Sequence, residues 1–268
     1  MSKFKNKLVL ITGGASGIGK IMGRIALQKG AKLVIWDINQ LMLDATTAEF
    51  SNLGEVYKFI VDVSSPEQIQ SAAENVRTNI GIVDILINNA GIVIGKYFDE
   101  HSYNDIKRTM DINTIAPMLI TNEFLPAMKK QNFGHICNIA SSAGLISNPK
   151  MSVYVASKWA AIGWSDSLRL EMKQLHQNIG VTTVTPYYIN TGMFDGVKSI
   201  VPILKPEKVA KKVIRGIERN LPFVSMPWSM RFVRFGQGVM PIWFFDWFIG
   251  GVMGIYKTME HFEGHKNK

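Results

Sequence analysis

Short, unbroken apolar runs alternate with longer stretches of helical character along most of the chain, and few folds accommodate that pattern. "KLVLIT" (7–12) reads as a strand and "SGIGKIMGRIALQKG" as the helix after it. "KLVIWD" (32–37) with "QLMLDATTAEFSN" repeats the pair. So does "EVYKFIVD" with "PEQIQSAAENVRTN", which carries Pro66 in its first turn, where a missing N–H costs nothing. "VDILINN" (83–89) is a fourth strand, followed by a helical region over about residues 101–130. "GHICNIAS" is a fifth strand with a helix over 152–177, and "GVTTVTP" a sixth with "PEKVAKKVIRGIERN" after it. "PFVSM" is a short seventh. Strands that are apolar on both faces, alternating with helices, predict an α/β fold: a doubly wound parallel sheet covered on both sides. In such sheets ligands bind beyond the carboxyl ends of the strands.

The first strand runs straight into "TGGASGIG", which places Thr12, Gly13, Ser16, Gly17, Ile18 and Gly19 between a strand and a helix. Glycines there let the backbone turn tightly and approach a pyrophosphate at a helix N-terminus. The spacing is G-x-x-x-G-x-G rather than the commoner G-x-G-x-x-G, so the strand–turn–helix context carries the reading. The second strand ends in Asp37, eighteen residues after Gly19. A carboxylate at that place accepts hydrogen bonds from both ribose hydroxyls of an adenosine and repels a 2′-phosphate. Ala15, Ser16 and Ile38 offer no compensating positive charge. The expected cofactor is therefore NAD rather than NADP. "VDV" (61–63) follows the third strand, where Asp62 is placed to meet the adenine amino group, with Val63 beside it.

"YVASK" puts Tyr154 and Lys158 one helical turn apart on a shared face. A tyrosine alone is a poor base at neutral pH, since its reference pKa is about 10. A nearby cation favours the phenolate, so the spacing reads as a device for making a proton acceptor. Asn113 lies in "NTIAP" with Pro117 four residues on. Proline has no N–H to close the helical bond onto the Asn113 carbonyl, and its ring is expected to kink the helix.

Together these residues resemble the short-chain dehydrogenases/reductases over about residues 7 to 225. The markers are "TGGASGIG", Asp37, "NNAG" (88–91), Asn113, Ser141, and Tyr154 with Lys158. The resemblance implies a Rossmann-type sheet. It implies that Asn89, Ala90 and Gly91 border the cofactor, that Tyr154 is the general acid/base, and that Lys158 lowers its pKa and holds the nicotinamide ribose. It implies that the Asn113 carbonyl holds a water of a proton relay. A serine thirteen residues before the tyrosine orients the substrate oxygen. That spacing selects Ser141, although Ser142 stands beside it in "ASSAG". After the sixth strand the family shows Pro-Gly and then a threonine that touches the nicotinamide carboxamide, which implies that Ile189 and Thr191 border the cofactor here. Here "PYYINTG" keeps Pro186, Ile189 and Thr191 but carries Tyr187 for the glycine, which puts the local backbone in question. "VIWDIN" and "PYYINTGMFDGVK" resemble the branch acting on lipids, the epidermal-type retinol dehydrogenases and lipid-droplet hydroxysteroid dehydrogenases. The activity implied is NAD-dependent interconversion of a hydrophobic alcohol and its aldehyde or ketone. The alternatives are a carbonyl reductase of the same fold acting on a polar or thioester-bound keto group, and a non-catalytic NAD-binding protein. No metal is expected.

The 268 residues contain no linker, low-complexity tract or internal repeat. They read as one catalytic and NAD-binding domain, 1–227, with a C-terminal extension, 228–268. The one cysteine, Cys137, excludes an intramolecular disulfide and reads as a buried small side chain. Neither a signal peptide nor an N-terminal anchor is visible, which suggests a cytoplasmic setting. The net charge of +9 suits an anionic partner or a merely soluble surface. Nucleic acid is not expected, because no recognition motif accompanies the charge. The extension is unusual. Between Val239 and Tyr256 it carries a single charge, Asp246, and it holds Trp243 and Trp247. Arg231, Arg234, Lys257, Lys266 and Lys268 flank it. Pro241 and several glycines argue against a membrane span. Three uses remain for residues 228–256: a segment lying peripherally in a membrane interface, a lid over an apolar pocket, or a subunit contact. The two long helices, over 101–130 and 152–177, are expected to pair across a homodimer or homotetramer interface. Phe124, Trp159 and Trp164 are the candidate buried or contact positions.

Overall fold

The computed structural model describes residues 3–264, so Lys266 and Lys268 lie outside the described residues. Seven parallel strands form one sheet in the order β3-β2-β1-β4-β5-β6-β7. They are β1 (Leu8–Thr12), β2 (Lys32–Asp37), β3 (Val56–Ile60), β4 (Ile85–Asn88), β5 (Gly134–Ile139), β6 (Ile179–Pro186) and β7 (Phe223–Met226). The order reverses between β1 and β4, which opens a crevice at their carboxyl ends.

The helices α1 (Gly17–Gln28), α2 (Gln40–Phe50) and α7 (Pro206–Glu218) cover one face. The helices α3 (Pro66–Asn79), α5 (Ala116–Lys130) and α6 (Ser152–Gln174) cover the other. Successive strand residues point to opposite faces. Val9 and Ile11 accordingly join the first core, and Leu8 and Leu10 the second. A strand buried on both faces must be apolar throughout, which is why the runs show no alternation. Cys137 is fully buried in β5.

The region over 101–130 is not one helix. It comprises α4 (Tyr103–Met110), capped by the Ser102 hydroxyl, then a π turn over Asp111–Ile115, then α5. The expected proline kink takes the form of that turn, directly before Pro117. The helix over 152–177 stops at Gln174, since His176 takes a left-handed conformation at φ 52°. Phe124 is buried against Trp36, with ring centroids 5.9 Å apart, so it is a core residue rather than a subunit contact. Trp164 is half-buried against the same core, whereas Trp159 is 47% exposed.

The extension folds as a turn over Trp228–Phe232, then α8 (Val233–Val239), α9 (Ile242–Asp246), a π turn over Trp247–Val252 and a last turn over Ile255–Lys257. It is not detached. Phe245, Ile249, Ile255 and Met259 are buried in one cluster with Leu145, Met151, Tyr154 and Tyr188. Among the described residues no helix is long and apolar enough to cross a membrane.

Candidate active site

The loop after β1 is built for close approach. Gly13 has φ +61°, and a methyl group on Gly19 would fall 2.2 Å from the Gly13 carbonyl oxygen. Thr12 and Asn89 hold this loop against the end of β4. The Thr12 hydroxyl accepts from the Asn89 and Ala90 N–H groups at 2.9 and 3.0 Å. The Asn89 amide donates to the Thr12 and Gly13 carbonyls at 2.9 and 3.0 Å. These side chains are thus committed to shaping the cradle. Ser16 caps α1 by position, yet its hydroxyl makes no capping bond and it is exposed. The helix start therefore keeps donors for an anionic group. Ile18 is buried under the turn. Thr191 packs on the far side of the loop, 3.8 Å from where a methyl on Gly17 would stand. Its N–H donates to the Ile189 carbonyl at 2.9 Å.

Asp37 ends β2 as predicted. One carboxylate oxygen accepts from the Ala15 N–H at 3.0 Å and the other from the Asn39 N–H at 3.1 Å. The carboxylate is thus pinned against the glycine loop. The basic side chains of α1, Lys20 and Arg24, are both paired with Glu49. Asp62 lies two residues beyond β3, where one of its oxygens accepts from the Ser64 N–H and hydroxyl at 2.9 and 2.7 Å. Val63 beside it is buried. A nicotinamide dinucleotide fits this surface: a glycine cradle that any side chain would fill, an uncommitted helix N-terminus, and a fixed carboxylate one strand away.

The second group of residues converges at the ends of β4 and β5. Tyr154 and Lys158 share the inner face of α6, and both are buried. The Lys158 ammonium lies 5.6 Å from the Tyr154 ring centroid and donates to the Ile139 carbonyl at 3.3 Å. A methyl on Gly91 would stand 3.1 Å from Asn113 Oδ1 and 3.6 Å from Lys158 Nζ, so Gly91, Asn113 and Lys158 meet at one point. The Asn113 side chain is fully engaged. It accepts from the Ile92 N–H at 2.9 Å, and it donates to the Ile92 carbonyl at 2.9 Å and to the Ser157 hydroxyl at 3.1 Å. Ser157 in turn donates to the Tyr154 carbonyl at 2.7 Å. The π turn is thereby tied to the first turns of α6.

Ser141 and Ser142 are both buried; the Ser141 hydroxyl accepts from the Ala143 N–H at 3.1 Å and is the one that bears on the Tyr154 phenol. Burial pushes the phenol up to about 12, while the hydrogen bond from Ser141 pulls it back toward ionisation. Burial also pushes Lys158 down to about 8. Burial thus favours the neutral form of both groups.

Tyr187, where the family has glycine, needs no unusual backbone. Its φ is not positive, and its N–H donates to the Met226 carbonyl at 2.8 Å, extending the β6–β7 pairing. Its ring meets that of Tyr188 at 4.6 Å. The cleft beside Ser141 is lined by Ile146, Asn148, Tyr188, Phe194 and Ile255 among others. Phe194 packs its ring against Tyr154 at 6.1 Å. Asn148 was not foreseen. Its amide donates to the Thr258 hydroxyl at 2.8 Å and the Tyr188 hydroxyl at 3.1 Å, and its own oxygen is buried without a partner among the described residues. Nothing in "ISNPK" marks it, because the contacts come from segments 40 and 110 residues away. The polar ladder beneath the site was equally hidden. Asn88 donates to Asn138 at 2.8 Å, Asn138 to Ser165 at 2.9 Å, and Ser165 meets Thr183 at 2.7 Å.

The chain is also similar to known proteins. The family model "short chain dehydrogenase" matches residues 7–200. Epidermal retinol dehydrogenase 2 of Mus musculus is 36% identical over 269 residues, covering 98% of this chain and 87% of that protein. Estradiol 17-beta-dehydrogenase 11 of Homo sapiens is 37% identical over 238 residues, covering 88% and 79%. The crystal structure of a short chain dehydrogenase/reductase from Burkholderia phymatum in complex with NAD superposes with a TM-score of 0.82. It is 26% identical, and the match covers 89% of this chain and 95% of that one.

Proposed function

The chain belongs to the short-chain dehydrogenase family, and from that membership we propose that it oxidises a hydrophobic alcohol with NAD, or reduces the matching aldehyde or ketone. The observation that carries this reading is the buried group Ser141, Tyr154 and Lys158 at the edge of a cleft lined by aromatic and aliphatic side chains. That lining, in which Ser142 and Asn148 stand among Ile146, Met151, Phe194 and Ile255, is mainly apolar, which suits a hydrophobic alcohol. The names of the relatives point the same way.

The nicotinamide ring, when bound, supplies the hydride acceptor. The chain supplies the proton chemistry and the positioning. Ser141 holds the reacting oxygen, and Tyr154 takes the hydroxyl proton at its phenolic oxygen. A phenol held at about 12 is a reluctant base, so turnover needs positive charge around it. Lys158 provides one such charge while it is protonated, below about pH 8. Asn113 fixes the loop at Ile92 and, through Ser157, the start of α6, which keeps Tyr154 and Lys158 in register with the cradle.

Asp37 supports NAD over NADP, since a 2′-phosphate would meet a pinned carboxylate with no free cation on α1. The test is a panel of retinoids, steroids, long-chain and short alcohols with each cofactor. The expected result is turnover of the apolar alcohols with NAD. Asp37→Ser should lose NAD preference by at least about tenfold, the effect of one or two charge-assisted hydrogen bonds, and make NADP usable. A parent protein that prefers NADP would overturn the assignment of Asp37.

We also infer a homodimer or homotetramer through the outer faces of α5 and α6. Trp159 on α6 and Ile115, just before α5, are both more than 40% exposed. Trp159→Glu should shift the protein toward monomer in sedimentation velocity at micromolar concentration. A parent that is already monomeric there would remove this interface.

A further inference from the structure

The C-terminal segment has two unlike sides. Its inner side is committed to the body of the protein through Phe245, Ile249, Ile255 and Met259. Gly236 of α8 sits against the Phe245 ring, 3.6 Å from where a methyl would stand, and the Gln237 amide donates to the Leu145 carbonyl at 3.0 Å. Ile255 lines the cleft itself. The segment is therefore a fixed cover rather than a loose tail.

Its outer side is apolar and exposed, with Trp228 packed on Phe232 at 5.7 Å and Phe244 on Trp243 and Trp247 at 5.7 and 5.6 Å. Trp228, Phe232, Phe235, Ile242, Trp243 and Trp247 are each between 57% and 80% exposed, all within twenty residues. Phe232, Phe235 and Val239 recur at helical spacing along the α8 side, and Trp243 and Trp247 stand one turn apart. Single exposed apolar side chains are ordinary, but a patch of this density marks a contact surface. Charge selects the occupant. Arg231 and Arg234 are exposed within the patch and form no ion pair among the described residues. Lys212 of α7 lies close enough to Arg231 to feel its charge, and Lys208 and Lys211 of the same helix are exposed. Asp246 is the one acidic residue between Trp228 and Met259, and the Tyr256 hydroxyl donates to it at 2.5 Å. A second copy would set this basic rim against its own like. Anionic headgroups match it, and tryptophans with arginines between them suit a plane where hydrocarbon meets phosphate.

We propose that the outer face of residues 228–252 is a docking surface for an anionic lipid bilayer, lying in its interface without crossing it. This docking does not depend on which alcohol the active site takes. It does set the cover of the cleft against a source of apolar molecules.

Removing the whole segment would not be a clean test, because Phe245, Ile255 and Met259 would leave the core with it. Surface substitutions in the full chain are cleaner. The intact protein should float with phosphatidylserine–phosphatidylcholine vesicles and less so with phosphatidylcholine alone. Raised salt should weaken the binding without abolishing it. W243S/W247S should lower partitioning at least about tenfold, since two large side chains leave the bilayer. R231E/R234E should remove most of the preference for phosphatidylserine. Both variants should keep the parent's circular dichroism and its rate on a short soluble alcohol. A measurement that needs no variant is quenching of the parent's tryptophan emission by brominated-lipid vesicles. Absence of flotation at every salt together with absence of quenching would overturn the proposal. So would undiminished binding by W243S/W247S, or self-association that depends on Trp243 and names a second copy as occupant.

Discussion

Tyr154→Phe is expected to remove nearly all turnover, by at least about a hundredfold, while binding of the nicotinamide dinucleotide followed by fluorescence stays close to that of the parent. The two readouts separate because the two functions sit on different elements. Tyr154 lies on α6 beside Ser141, whereas the cradle comprises the loop after β1, the start of α1 and Asp37 at the end of β2. The substitution removes one oxygen from a buried site and leaves the ring packed against Phe194, so the fold should hold. What disappears is the group proposed to exchange a proton with an oxygen held by Ser141. Of the other buried ionisable groups nearby, the Lys158 ammonium is directed to the Ile139 carbonyl, and the Tyr188 hydroxyl is engaged with Asn148 and Thr258. Turnover within about tenfold of the parent, a barrier change of about 1.4 kcal/mol, would show that another base does the work.

The parts of this site that were legible in the sequence are those whose chemistry is local. A glycine loop between a strand and a helix, an acid at a strand end, and a tyrosine one turn before a lysine each announce themselves within a few residues. The sheet was legible for a related reason: strands covered on both faces leave no polar alternation, and that run is hard to mistake. The rest depends on contacts between distant segments. The choice of Ser141 over Ser142 rests on which hydroxyl bears on Tyr154 after β5 and α6 have packed. The role of Asn148 needs Tyr188 and Thr258 beside it. The break in the helix at Asp111–Ile115 was anticipated as a kink from Pro117, but its form as a π turn binding Ile92 and Ser157 was not. The extension shows the same division. Its composition gave the apolar and basic character, yet only the fold separates Phe245 and Ile249, which face the core, from Trp243 and Trp247, which face solvent.

Lys158→Met should inactivate the protein and at the same time make it more stable. Lys158 is 5% exposed, and burial lowers it from 10.5 to about 8. At neutral pH the ammonium is still protonated, so the folded chain carries a desolvated charge whose hydrogen-bond acceptor among the described residues is the Ile139 carbonyl at 3.3 Å. Methionine has similar length and no charge. Relief of the desolvation should raise stability by about 1–3 kcal/mol at pH 7, measured by chemical denaturation without cofactor. The pH dependence follows from the direction of the shift. The folded value lies below the unfolded one, so between about pH 8 and 10 the unfolded chain holds more protons and the parent gains stability as pH rises. The variant lacks that gain. Its advantage should therefore be constant below pH 8 and shrink steadily above it. Turnover should fall at every pH, and NAD affinity should fall too if the ammonium holds the ribose. A variant no more stable than the parent would mean that the lysine is already neutralised by contacts within the fold. A variant that remained active would mean that the charge beside Tyr154 is not what makes the phenol a base. Lost activity combined with gained stability would have a single source, a cation kept in a dry place for the chemistry proposed there.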